Sequence, residues 1–220
     1  MRIATWNVGY GGLGKNEDFF LDGGKKSKPS ENDAVHGYLT GIRMTIDEQA
    51  PDLVLLQEVD ADSSRTYGID ERVYLNAGMS CESYALNYSC PFVPVPWPPI
   101  GKVNGGLFTM TNGFTIENAE RISLPCPFSW PLRIVNLKRC LLVSHLPIEG
   151  SDKDLVLVNL HLEAYDDGEG KIAQTNQLRE FITGEYEKGN YVIAGGDFNQ
   201  VFPGSLEVYP NTRSEERRVG

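Results

Sequence analysis

Short apolar runs separated by turn residues dominate the chain, and only two stretches carry a strong helical repeat. Residues 3–8 predict a strand, followed by a Gly- and Lys-rich loop to about Asn32. From Asp33, an expected N-cap, the side chains Val35, Leu39, Ile42 and Ile46 recur at helical spacing until Ala50-Pro51 ends the pattern. Residues 52–58 form a nearly continuous apolar run of the kind that makes a strand buried on both faces. A weaker helical pattern covers residues 66–77. Further strands are expected at 83–88, 105–111, 115–123, 139–146 and 154–161, with the Pro-rich 91–99 as punctuation. Residues 171–187 predict a second long helix and residues 191–197 a final buried strand. Strands outnumber helices by more than two to one and no repeat of fixed period is present. The expected class is therefore α/β, with sheet packed on sheet and helices outside.

Composition narrows this picture. The 220 residues fit one domain, taken here as residues 1–210 with a distinct tail at 211–220. A net charge of −10 argues against a broad basic footprint for nucleic acid or a polybasic membrane-surface protein. A small phosphate site, locally cationic or filled by a metal, is compatible with it. No apolar run approaches the roughly 18 residues of a membrane span, and Met1 leads almost directly into the first strand without a leader-like apolar segment. As written, the chain is expected to be cytoplasmic; a secreted or membrane-anchored form would need a leader absent from this text. The four cysteines show no C-x-x-C pairing, and only three histidines exist to complete a zinc site, so reduced, packed thiols are expected.

Two glycine motifs mislead. Gly9-Tyr-Gly11-Gly12-Leu-Gly14 satisfies G-x-G-x-x-G, and Gly9 to Lys15 satisfies most of a P-loop. Both motifs need a helix opening directly behind them, and no helical stripe follows here. The P-loop also needs Ser or Thr after Lys15, where Asn16 stands. The reading is a loop beside a site; residues 11–32 and the segment from Pro91 to Gly101 either shape a pocket rim or serve as plain connections.

Four segments each end an apolar strand on polar residues: Thr5-Trp6-Asn7, Leu56-Gln57-Glu58, Asn159-Leu160-His161-Leu162 and Gly195-Gly196-Asp197-Phe198-Asn199. Strand ends are where binding residues gather on a rigid scaffold. Gly195-Gly196 permits a tight backbone path, and Asp197 and Asn199 share a face at strand spacing. Glu58 and Asp197 are hard oxygen donors suited to Mg²⁺, which takes one or two protein carboxylates and keeps its waters. Asn7 and Asn199 can donate to phosphate oxygens or fix a carboxylate without adding negative charge, and His161 can hydrogen-bond a phosphate oxygen or shuttle a proton.

With TWNVGYG, LLQEVD, VNLHLEAY and GGDFNQ in this order between residues 5 and 200, the chain resembles the endonuclease/exonuclease/phosphatase superfamily. The resemblance implies a four-layer α/β sandwich of two packed mixed β-sheets flanked by helices. It implies Mg²⁺-assisted cleavage of a phosphoester by in-line attack of water, with Mn²⁺ as a substitute. By that analogy Glu58 is the principal metal ligand with Asn7 beside it. Asp197 orients the attacking water or the metal shell, Asn199 stabilises the pentavalent phosphate and His161 hydrogen-bonds it. A phosphodiesterase is favoured over a phosphomonoesterase. The substrate classes that follow are nucleic acid, a phospholipid head group or a small phosphodiester, and no stable protein partner is expected. Arg139 and Tyr165 are candidate substrate-binding residues, with a surface ion pair and a core aromatic as their alternatives.

The family pattern also ends on a further Asp and an Asp-His pair that cannot be placed here. His36, on the first helix, and His145, before a proline, are expected to be structural or solvated. The text from Asn211 to Gly220 lacks apolar periodicity and reads as foreign sequence. The expectation is a C-terminally incomplete domain with impaired activity. The alternative is a non-catalytic module of the same fold that holds phosphorylated ligands. A serine hydrolase is excluded, since Gly-x-Ser-x-Gly is absent and Ser144-His145 are mere sequence neighbours.

Overall fold

The computed structural model describes residues 1–20, 24–76, 78–126, 138–164, 168–201 and 204–208. Eight strands among them form two four-stranded sheets. The first has the order β1-β2-β4-β3, from β1 (Ile3–Asn7), β2 (Leu53–Asp60), β3 (Cys81–Val93) and β4 (Gly101–Thr111). The second has the order β5-β6-β7-β8, from β5 (Asn118–Ser123), β6 (Cys140–Pro147), β7 (Asp154–His161) and β8 (Tyr191–Asp197). Each sheet is mixed: β1 runs parallel to β2 and β7 parallel to β8, while the remaining pairs are antiparallel.

Helix α1 (Asn32–Gln49) buries its Val35, Leu39, Ile42 and Ile46 stripe on Val54, Leu56, Phe108 and Met110 of the first sheet. Each such side chain contributes about 1.5–3 kcal/mol when buried. Helix α3 (Glu169–Glu187) sets Leu178 against Val143, Val156, Val158 and Leu160 of the second sheet. Between the sheets lie two smaller apolar clusters. Ala85 and Leu107 meet Cys140 and Leu142, and Leu53 meets Leu146 and Leu157. The result is the expected four-layer α/β sandwich. Alternation along β2 and β7 explains it, because even positions face the helices while Leu53, Leu157 and the polar Gln57 and Asn159 face inward.

Several boundaries differ from expectation for identifiable reasons. The N-cap of α1 is Glu31, which has extended backbone angles, and Asp33 falls inside the first turn. The weak pattern at 66–77 resolves into a 3₁₀ turn, Ser64–Thr66, and a short helix α2 (Glu71–Leu75) capped by the Asp70 carboxylate. Strand β3 does not stop before Pro91. It continues to Val93 because the register with β4 shifts between Cys90 and Val93, and an irregularity of that kind tolerates a residue without N–H. A one-turn helix α4 (Ser205–Val208), not expected, follows β8. The four cysteines are free thiols, as expected, and burial pushes the Cys140 thiol up to about 11. No helix among the described residues is long and apolar enough to cross a membrane. The tail at 211–220 lies outside the described residues.

Candidate active site

The two parallel pairs bring four strand ends together. Asn7 is the register partner of Gln57 in β1 and β2, and His161 is that of Asp197 in β7 and β8. Packing of sheet on sheet then joins the pairs, since Asn7 Nδ2 donates to Asp197 Oδ2 at 2.9 Å and to Glu58 Oε1 at 3.1 Å. The Asn7 Oδ1 accepts from the Gly9 amide at 3.1 Å, which fixes the orientation of the amide group. Glu58 stands on a β-bulge between Leu56 and Val59 with φ of +57°, a left-handed conformation for a residue that has a Cβ. Bulges re-aim a side chain, and strain of this kind gathers at functional sites.

His161 lies between the two carboxylates and is almost fully buried. Its Nδ1 is 3.9 Å from Glu58 Oε1 and its Nε2 is 3.6 Å from Asp197 Oδ2. Gly195-Gly196 serves close approach inside strand β8, not a turn. A Cβ on Gly195 would stand 3.0 Å from Leu55 of the other sheet, and one on Gly196 only 2.0 Å from the Leu160 carbonyl oxygen. Asn199 departs from strand spacing, because β8 ends at Asp197 and Asn199 takes φ of +49°. Its amide N–H donates to Asp197 Oδ1 at 2.9 Å and its Nδ2 to the Leu162 carbonyl at 2.8 Å. It thereby fixes the Asp197 carboxylate and keeps one side-chain N–H for the pocket.

Beneath these groups are supports that sequence reading missed. Gln57 Nε2 donates to Asn159 Oδ1 across the sandwich at 2.8 Å, and Asn159 Nδ2 donates to the Leu56 and Phe108 carbonyls at 3.0 and 3.1 Å. The bulge is held from its other flank. Asp60 is fully buried, accepts two Arg65 hydrogen bonds at 2.9 Å, and donates its amide N–H to Glu71 Oε2 at 2.8 Å. Burial opposes the Arg65 charge, but Asp60, Tyr10 and Glu58 outweigh it and raise the guanidinium pKa. Arg65 also lies 3.7 Å from the ring centre of the buried Tyr10. Burial and then the Asp60 charge push the Glu71 carboxyl well above the ordinary carboxylate range, so it holds its proton. The only sequence signal for this network was its charges, five and eleven residues beyond Asp60, in a stretch read as a weak helix.

All four strand-end residues, with Asn199, line one cavity of about 1080 Å³. The glycine loop and the Pro-rich segment line it, the rim role of the two readings left open, through side chains such as Leu13, Phe20, Val93 and Ile100. Arg139 lines the same cavity, yet it is not a surface residue: it is buried and its Nε lies 3.8 Å from the buried Glu163 Oε2. Tyr165 lies outside the described residues. His36 packs on Tyr74 and His145 pairs with Asp154 at 3.2 Å, both away from the cavity. Among the described residues the 3₁₀ turn Gly9–Gly11 leads into no α-helix before α1, which leaves the nucleotide motifs without their context.

The donor set suits a hard divalent cation. Glu58 and Asp197 present two partly exposed carboxylates to the cavity, bridged by one Asn7 amide. Among the described residues no cluster of three His, Cys, Asp or Glu side chains forms a closed cage.

Comparison with known proteins gives the following. The sequence profile described as Endonuclease/Exonuclease/phosphatase family matches residues 4–214. No curated protein matches the sequence significantly. The fold resembles an endonuclease/exonuclease/phosphatase from Beutenbergia cavernae at 22% identity and a TM-score of 0.58, over 82% of this chain and 43% of that one. It resembles the human Nocturnin catalytic domain with bound sulfate at 19% identity and a TM-score of 0.57, over 95% and 66% of the two chains. It also resembles ANGEL2, a 2',3'-cyclic phosphatase in complex with adenosine-2',3'-vanadate, at 20% identity and a TM-score of 0.55, over 77% and 46%. The chain thus spans roughly half to two thirds of the length of these structures.

Proposed function

The chain belongs to the endonuclease/exonuclease/phosphatase family, whose members are hydrolases of phosphoesters, and on that premise we propose that it is a Mg²⁺-dependent phosphodiesterase. The observation that carries the reading is the meeting of Asn7, Glu58, His161 and Asp197, drawn from four strands of two sheets, at the wall of one cavity. Glu58, with Asp197 and Asn7 beside it, would hold the metal, which when bound supplies a Lewis acid that neutralises charge on a phosphoryl oxygen.

The remaining steps belong to the chain. Asp197, fixed by Asn7 and by the Asn199 amide, accepts a hydrogen bond from the attacking water and orients it. His161, between two carboxylates, donates a hydrogen bond to a phosphate oxygen. The free N–H of Asn199 and the Arg139 guanidinium are further donors for equatorial oxygens. Turnover is expected to be slow, because His36 and His145 stand away from the cavity and His161 is its one imidazole.

Charge favours a diester over a monoester. Arg65 and Arg139, the two cations at the cavity, are already paired with Asp60 and Glu163, while Glu58 and Asp197 add two negative charges. A singly charged diester is therefore easier to bring in than a dianionic monoester. The test compares bis(4-nitrophenyl) phosphate with 4-nitrophenyl phosphate, with Mg²⁺ or EDTA and with Asp197→Ala. Release from the diester that is lost with EDTA and in the variant is expected. No metal-dependent release from either would refute the enzyme reading, and phosphate binding without turnover would leave a binding module.

A further inference from the structure

The tip between β3 and β4 has two faces. Residues 91–101 carry no charged side chain. Val93, Pro94 and Ile100 line the catalytic cavity, opposite Leu13, Phe19 and Phe20 of the glycine loop. On the other face Phe92 and Trp97, which do not line the cavity, are 57% and 88% exposed. Large apolar side chains grouped at a loop tip mark an interaction surface, and an exposed Trp suits the boundary between water and acyl chains.

Resting on the reading of the site as a phosphodiester pocket, we propose that the β3–β4 tip docks on a zwitterionic lipid surface and that the substrate is a phosphodiester whose apolar group enters along the cavity's apolar wall. The chemistry balances without another reactant. The oxygen of water adds to phosphorus, the bond from phosphorus to the oxygen of the apolar alcohol breaks, and a proton of the water ends on that alcohol. With a phosphatidylcholine the products are a diglyceride and phosphocholine.

Charge selects the kind of surface. The net charge of −10 repels an anionic bilayer, and the tip offers no Lys or Arg to overcome that; Lys102 at its base is paired with Asp62. Charge also disfavours a nucleic-acid strand. Among the described residues lining the cavity the Arg and Lys side chains are Arg65 and Arg139 alone, both ion-paired with buried carboxylates, whereas a polyanion needs a row of phosphate-neutralising cations.

The test uses the full chain and sedimentation with phosphatidylcholine vesicles at about 0.15 M salt, where surface charge effects are largely screened. Wild type is compared with the double variant Phe92→Ser, Trp97→Ser; neither residue lines the cavity. Wild type is expected to sediment with the vesicles and to show a blue shift in Trp emission. The double variant is expected to partition about 100-fold less or weaker still, since each transferred aromatic is worth about tenfold or more. Its rate on bis(4-nitrophenyl) phosphate stays unchanged, which reports an intact fold and site. Wild type should also hydrolyse diheptanoylphosphatidylcholine faster once the lipid forms micelles.

Equal binding by wild type and variant overturns the proposal. So does binding restricted to phosphatidylserine vesicles, binding to a single-stranded oligonucleotide in place of vesicles, or a dimer that the double variant abolishes. Hydrolysis of the soluble diester without vesicle binding removes the lipid proposal and leaves the hydrolase. Vesicle binding without any diester hydrolysis keeps the docking surface and refutes the hydrolase and the substrate assignment.

Discussion

Replacing Asn159 by Leu removes a side chain that is fully buried where the two sheets meet below the catalytic groups. Its Nδ2 serves the Leu56 and Phe108 carbonyls, the register pair at which the β2–β4 ladder breaks for the bulge, and its Oδ1 accepts from Gln57. Gln57 keeps a second acceptor, the Leu55 carbonyl at 3.0 Å, so the main loss falls on the two carbonyls. An orphaned buried polar group costs about 1–3 kcal/mol, and leucine returns part of that through apolar contact. The expected net loss is about 2–4 kcal/mol, a large share of a domain's usual stability of about 5–15 kcal/mol. Urea unfolding followed by circular dichroism measures it, and a Tm lowered by roughly 5–15 °C accompanies it. Asn159→Asp turns a carboxylate oxygen toward the same carbonyls. It is expected to destabilise more than Leu at neutral pH and to recover in acid, as the carboxyl takes up a proton. A loss under about 0.5 kcal/mol for Asn159→Leu would refute the claim that this amide supports the break in the ladder.

Other expectations follow from the same geometry. Glu58→Gln should lower diester turnover by about 10²–10³-fold and abolish the thermal stabilisation by Mg²⁺, which for wild type at a hundredfold excess over Kd amounts to about 2.7 kcal/mol; an unchanged Mg²⁺ shift would remove Glu58 from the metal site. Glu71 holds its proton in the fold well above the usual 4.5, so the folded and unfolded states differ in protonation only above that pH, and stability falls as pH rises from there toward the folded pKa. Glu71→Gln should therefore match wild type near pH 4 and exceed it by pH 8; parallel pH profiles in chemical denaturation would contradict the assignment. Gly196→Ala places a Cβ 2.0 Å from the Leu160 carbonyl at φ of +147°, and a loss of about 3 kcal/mol or failure to accumulate soluble protein is expected, read by Tm against Gly204→Ala, whose Cβ meets nothing.

Much of the fold was legible because burial on both faces leaves a continuous apolar run, as at Leu53–Leu56, and a helix packed on one side leaves a stripe, as on α1. The strand ends were legible for a related reason, since Asn7, Glu58, His161 and Asp197 interrupt apolar runs abruptly. What escaped was set by tertiary structure. The Gln57–Asn159 bridge joins residues 102 apart, and nothing local in either segment announces it. Strand spacing places Asn199 on the face of Asp197, whereas its own positive φ, two residues past the strand, decides where it points. Arg139 offered two readings, an exposed ion pair or a phosphate ligand; the buried partner Glu163, 24 residues away, belonged to neither. The course of β3 through Pro91 depended on a shift in pairing with β4 that a single strand's sequence does not contain.

The left-handed backbone at Glu58 sets folding and turnover against each other at one position. Glycine there would relax the bulge by about 1 kcal/mol, and asparagine would also accept the conformation more readily. Both discard the carboxylate. A variant library screened only for soluble yield should drift toward Gly or Asn at position 58, while one screened for diester cleavage should hold Glu and tolerate the strain. The residue recovered at this bulge therefore reports which property a selection favoured, independently of any substrate.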